Sequence, residues 1–124
     1  MRIAVNLHFN LRNSKKRFDK KQLNQYMHNY TVNASIQILP IVLDKHPYLW
    51  VDDAIAIIQK SNIKYEIGAF DTVVEGKYDD VMKLINDINE YLYSKGCNEW
   101  ITNVQIQIRS NGDITTYEKT SKFK

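Results

Sequence analysis

Residues 65–85 read YEIGAFDTVVEGKYDDVMKLI, and their reading decides the fold. "YEI" and "TVVEG" have the length and β-branched content of two short strands. Gly68 lies in the connection between them, so the chain turns back there as a hairpin. From Asp79 or Asp80, either able to cap a helix, the period changes. Val81, Leu84, Ile85, Ile88 and Leu92 form a stripe at helical spacing, and Gly96 follows Lys95 where such a helix should stop.

Working outward, "VNASIQIL" (32–39) alternates, with Val32, Ala34, Ile36 and Ile38 on one face and Asn33, Ser35 and Gln37 on the other. Pro40 ends that strand because it has no amide hydrogen for a ladder. In "VDDAIAIIQKSN" (51–62), Val51, Ala54, Ile55 and Ile58 recur at i, i+3, i+4, i+7, an amphipathic helix with Asp52 and Asp53 expected in its first turns. "WITNVQIQIR" (100–109) alternates again, with Asn103, Gln105, Gln107 and Arg109 opposite Val104, Ile106 and Ile108. "SNGD" turns the chain, and "ITTYEKTSKFK" reads as an added edge strand or a frayed end.

The order β-α-β-β-α-β predicts an α+β fold: the ferredoxin-like split β-α-β arrangement, an antiparallel four-stranded sheet with two helices on one face. The other face is then wet or covered by a partner. It offers Ser35, Gln37, Asn103, Gln105 and Gln107, uncharged groups able to donate and accept. That pattern allows a small polar ligand, a subunit contact or a solvated face, and does not choose among them.

Length and charge set the outer bounds. The 124 residues suit one domain, with 44% hydrophobic and 25% charged residues. No apolar run approaches the roughly 20 residues of a membrane helix. The net charge of +3 is uneven, because residues 1–31 hold seven basic side chains and one acidic one. The remainder is mildly acidic, which argues against a nucleic-acid surface. Residues 1–31 read as a basic, mobile N-terminal extension, with "RIAVNLHF" as a strand the alternative and Met27 a second candidate start. Its composition fits a targeting peptide only loosely, since no secretory apolar segment is present. The folded domain is expected over 32–118 and a C-terminal tail over 119–124. A lone Cys97 is compatible with a reducing cytoplasm, the expected location.

Catalytic apparatus is not visible. The four glycines are dispersed, so no phosphate loop forms. His8 and His28 lie in the extension and His46 stands alone in a loop, so no catalytic or metal-ligating set assembles and neither an enzyme nor a metal site is expected. An RNA-recognition domain needs aromatic residues on its central strands, and an acylphosphatase-like enzyme needs an Arg-bearing loop after the first strand. "WITNVQIQIR" and "LPIVLDKHP" supply neither.

"NASIQILP", "KYEIGAFDTVVEGKYDDVMKLI" and "WITNVQIQIR" together resemble the small thiamine-binding, YkoF-like protein family, over roughly Val32 to Asp113. The most specific piece is tyrosine, a glycine turn, then Thr-x-x-Glu-Gly before a helix. The resemblance implies a non-catalytic protein of the cytoplasm, self-associated as a dimer or tetramer, a carrier or sensor in thiamine salvage. Its ligand is thiamine or the hydroxymethylpyrimidine moiety, with no further cofactor. Ser35, Gln37, Tyr65, Thr72, Glu75 and Asn103 are then the expected ligand-binding residues. Thr72 and Ser35 supply hydroxyls, and Gln37 and Asn103 supply amides. Glu75 meets the cation or the exocyclic amine, with Tyr65 or Trp100 against a ring. For Glu75 the competing reading is a partner for a backbone amide at a helix entry. Family members commonly carry a Met-Ser or similar pair where this chain has Phe70-Asp71. The competing function is a structural or oligomerisation module with no small-molecule ligand; an enzyme using Glu75 and Asp71 as acid and base ranks last.

Overall fold

A computed structural model describes residues 29–42 and 46–124; the expected N-terminal extension lies almost wholly outside the described residues. Four strands, β1 (Thr31–Pro40), β2 (Lys64–Ile67), β3 (Thr72–Lys77) and β4 (Trp100–Gln107), form one antiparallel sheet in the order β2-β3-β1-β4. Helices α1 (Pro47–Lys60) and α2 (Tyr78–Ser94) pack on one face, and a short α3 (Thr116–Thr120) runs into a 3₁₀ turn, Ser121–Phe123. This is the expected α+β arrangement, with one helix more than the pattern announced.

The alternation of β1 does most of the positioning. Val32, Ala34, Ile36 and Ile38 are buried beneath the helices, with Val74 of β3 beside them. They meet Trp50, Ala54 and Ile58 of α1 and Val81, Leu84, Ile88 and Leu92 of α2, one continuous core. The α2 stripe is the one read from the sequence, and Gly96 ends that helix region at φ +88°, a left-handed conformation that glycine adopts without a Cβ penalty. Gly76 has a packing reason as well: a Cβ there would sit 3.1 Å from Ile63 Cγ2.

Three local expectations change. α1 begins at Pro47 rather than near Val51, because His46 is its N-cap, its Nδ1 accepting from the Tyr48 amide at 3.2 Å. Proline suits the first helical position, where the missing amide hydrogen costs nothing. Asp52 and Asp53 therefore lie beyond the first turn. Neither Asp79 nor Asp80 caps α2: both sit inside its first turn after Lys77, and Asn29 Oδ1 accepts from the Asp79 amide at 3.0 Å. Finally, "ITTYEKTSKFK" is neither edge strand nor frayed end. Thr115 and Glu118 close a capping box that starts α3.

That third helix lands on the face opposite α1 and α2. Ile114 is buried, its amide donating to the Thr31 carbonyl at 3.0 Å, and its carbonyl accepts from Asn33 Nδ2 at 3.2 Å. The open face is thus partly covered by the chain itself. Among the described residues, no helix is long and apolar enough to cross a membrane.

Candidate functional site

Strand period governs where the six expected ligand residues go. Thr72 is opposite Ile36 and Ile67, on the helix side, whereas Glu75 is opposite Asn33 and Lys64, on the open side. Three residues apart on one strand, they face opposite ways. Tyr65, opposite Val74, shares the side of Thr72. Ser35, Gln37 and Asn103 share the side of Glu75. The six do not converge on a single pocket.

Three depressions take five of them. The first is a cleft of about 90 Å³ at the mouth of the β2–β3 hairpin, between the Gly68–Asp71 loop and α1. Its walls are apolar, with Ile36, Ala54, Ile58 and Ile67 among them, and its polar groups include Thr72, Asp71 and Gln37. Thr72 is only 5% exposed, and its hydroxyl donates no hydrogen bond to any described residue. Phe70, at the rim, is 85% exposed.

The second, about 130 Å³, lies between β2, β3 and α3, with Tyr65, Glu75, Lys64, Tyr117 and Lys124 in its lining. Glu75 is not free there. Its Oε1 accepts from the Thr116 amide at 2.6 Å, and its Oε2 lies 3.8 Å from Lys64 Nζ. The backbone-amide role foreseen as the competing reading is the one the geometry has, although the helix entered is α3 and not the one following the strand.

The third is a shallow groove on the open face, of about 430 Å³, bordered by Asn33, Ser35, Gln105, Gln107 and Lys119. Lys119 Nζ donates to Gln107 Oε1 at 2.9 Å and closes one end. Asn103 lines none of the three; its Nδ2 donates to Gln37 Oε1 at 3.1 Å. Trp100 is turned to the helix side, where its Nε1 donates to Asn89 Oδ1 at 3.0 Å. Asn89 also accepts from the Thr102 hydroxyl at 2.6 Å, joining α2 to β4.

Arg109 serves the C-terminal segment, donating to the Asp113 carbonyl at 2.7 Å and to Glu118 Oε2 at 3.4 Å. The carboxyl of Glu118 is held below its ordinary range, first by the hydrogen bond from the Thr115 backbone and then by the charge of Arg109. Among the described residues no three His, Cys, Asp or Glu side chains gather as a metal site.

Sequence reasoning missed Asn33, which is 4% exposed and holds Ile114 in place. Its position on the polar side of β1 was legible; the segment it grips was not. Asn89 was missed for a different reason, because it stands beside the apolar stripe of α2 as an ordinary polar residue.

The model of the family described as thiamine-binding protein matches residues 34–124. The chain belongs to that family. It is 35% identical to the UPF0045 protein of Clostridium perfringens over 94 residues, 76% of this chain and 98% of the relative. Among solved structures, a domain of unknown function, DUF77, from Bacillus cereus superposes with a TM-score of 0.73 at 30% identity, covering 77% of this chain and 92% of the other. A Thermotoga maritima protein, named as a candidate for thiamine biosynthesis or salvage, superposes with a TM-score of 0.69 at 31% identity, covering 76% and 99%. The family model includes the hairpin, its cleft and the C-terminal helix, so the first two depressions lie inside the family's own span and the third does so except for Asn33.

Proposed function

We propose that this protein binds thiamine, or its hydroxymethylpyrimidine part, in the cleft at the mouth of the hairpin, and performs no chemistry on it. The observation that carries the reading is Thr72: a hydroxyl on a nearly buried residue, set in an apolar wall, with no described acceptor. The hydroxyl is not sealed from water, so a ligand ring nitrogen can replace water as its acceptor inside an otherwise apolar wall. Small-molecule sites have this composition, apolar walls with a few placed polar groups.

Size selects which part of the ligand enters. An apolar cavity of about 150 Å³ takes one benzene ring, so a cleft of about 90 Å³ admits at most one ring with part of it at the mouth. The aminopyrimidine is the ring that can use Thr72. The thiazolium cation then stays at the rim, beside the Asp71 carboxylate and the exposed Phe70 ring, both of which attract a cation. Family membership supports the ligand class, and the Thermotoga relative's name supports a place in biosynthesis or salvage. The protein acts in the cytoplasm as a carrier or sensor.

Thermal unfolding with thiamine, its phosphates and hydroxymethylpyrimidine tests this. At a hundred times its dissociation constant a ligand stabilises by about 2.7 kcal/mol. Unchanged melting with all of them overturns the reading.

Self-association forms a second part of the proposal. Leu39 and Ile101 are paired across β1 and β4 on the open face, 40% and 47% exposed, beyond the reach of α3. An apolar cross-strand pair left in water beside amide side chains favours a symmetric partner.

A further inference from the structure

Gln37 and Asn103 make a chain of two hydrogen bonds that runs from an edge strand to the hairpin loop. Asn103 Nδ2 donates to Gln37 Oε1 at 3.1 Å, and Gln37 Nε2 donates to the Phe70 carbonyl at 3.0 Å. Both amides are thus used on protein partners rather than offered to a ligand.

The register explains why this matters. The ladder between β1 and β3 ends at the pair Ile36 and Thr72. β1 continues to Pro40 against β4 alone, so beyond Ile36 the loop has no backbone ladder to hold it. Gln37 is the next residue, and its side chain takes over where the main chain stops. Within the loop the closing bond is Gly68 N–H to the Asp71 carbonyl, at 2.8 Å. The Phe70 side chain buries almost nothing that could anchor it. The amide of Gln37 is the link tying Phe70 to the sheet, and Phe70 and Asp71 form the mouth of the cleft.

We propose that Gln37, oriented by Asn103, is a positioning residue that fixes the Phe70–Asp71 mouth of the cleft and thereby sets affinity for its ligand. The ligand side of this rests on the functional reading above; the loop side does not. A serial chain has a signature. Removing Asn103 frees Gln37 to swing, removing Gln37 cuts the loop loose, and removing both does no more than removing Gln37.

Hydrogen exchange on the free protein reads the loop, and titration with thiamine reads the cleft. In Gln37→Leu the amides of residues 68–71 should exchange about two- to tenfold faster, the range of one neutral hydrogen bond, with protection across Val32–Ile36 unchanged. Gln37→Glu keeps an acceptor for Asn103 but loses the donor to Phe70, so it should match Gln37→Leu. Asn103→Ala should act in the same direction more weakly, and the double variant should equal Gln37→Leu. Thiamine affinity should fall by a similar factor. Loop exchange unchanged in Gln37→Leu, full additivity of the two substitutions, or a loosened loop with unchanged thiamine affinity each overturns the proposal. Wild-type protein that binds no thiamine overturns the functional reading instead, and the exchange data still decide whether Gln37 holds the loop.

Discussion

Glu75 Oε1 lies 2.6 Å from the Thr116 amide nitrogen, so a strand carboxylate in the middle of the sheet fastens the start of the C-terminal helix. No residue of α3 or of the 3₁₀ turn after it is buried. What holds the segment is therefore polar: Glu75 at its entry, Lys119 on Gln107 farther along, and Asn33 on Ile114 before it. Elements with little burial open at low free energy, and their individual hydrogen bonds decide how often.

Glu75→Gln should accordingly loosen α3 and little else. The amide keeps an acceptor oxygen and loses the charge, weakening the bond by about 1 kcal/mol, the difference between a charge-assisted and a neutral hydrogen bond. The ion pair with Lys64, whose side chain is 70% exposed, contributes little by comparison. Exchange at residues 116–120 should quicken severalfold while the β1–β3 ladder stays protected and thiamine affinity stays at the parental value. A loss of affinity with α3 still protected would return Glu75 to the ligand site.

Alternation made β1 and β4 legible, and a clean apolar stripe made α2 legible, because those patterns are generated by burial on one side. The start of α1 was not legible in that way. "HPYLW" carries no period, and its signal is chemical, an N-cap acceptor followed by proline. The same holds for α3, where Thr115 and Glu118 have the capping-box spacing but five residues are too few to show an apolar face. That the six expected site residues do not share one depression follows from geometry that the sequence already contained. Thr72 and Glu75 differ by an odd number on one strand, and a period of two separates them whatever the family motif suggests. Gln37 and Thr72 reach one cleft only because the loop after β2 folds over the end of the ladder, which no local pattern encodes.

Thr72→Val tests the cleft directly. The two side chains have nearly the same volume, and the position is buried against Ile36 and Ile67, so the domain should melt at or slightly above the parental temperature. On the proposed reading, losing this hydroxyl should weaken thiamine binding by about 1 kcal/mol, roughly fivefold. Calorimetric titration beside thermal unfolding separates the two effects. Lower stability with full affinity would mark the hydroxyl as structural.

Acid should unfasten the C-terminal helix before it affects the sheet. Glu118 accepts from the Thr115 amide at 2.8 Å and meets Arg109, with Lys119 adding to the attraction, so its carboxyl is held below the ordinary 4.5. A lowered folded value means that the carboxylate's contribution is present above the unfolded value and disappears as pH falls through the folded one. Fraying of α3 is therefore expected below pH 4.5, followed by amide chemical shifts of residues 115–120. Glu118→Gln should remove that transition. If the transition persists in Glu118→Gln, another carboxylate drives it.

Self-association gives the last prediction, and it depends on how much of the open face α3 leaves uncovered. The end of the face near Asn33 and Gln107 is occupied by the chain's own C-terminal segment. The other end carries Leu39 and Ile101, opposite one another, with the Gln37–Asn103 pair next to them. A two-fold axis near that pair brings apolar groups together at the centre and amides at the rim, the usual arrangement of an interface. Light scattering at micromolar concentration should then give at least a dimer. Ile101→Lys should shift it to monomer, because two copies of the new charge would meet across the axis without a partner. Since Ile101 lies on an exposed edge strand, that variant should keep its fold and its thiamine response as a monomer. A wild-type protein that scatters as a monomer would leave this end of the sheet to solvent, and an Ile101→Lys variant that remains a dimer would place the contact elsewhere.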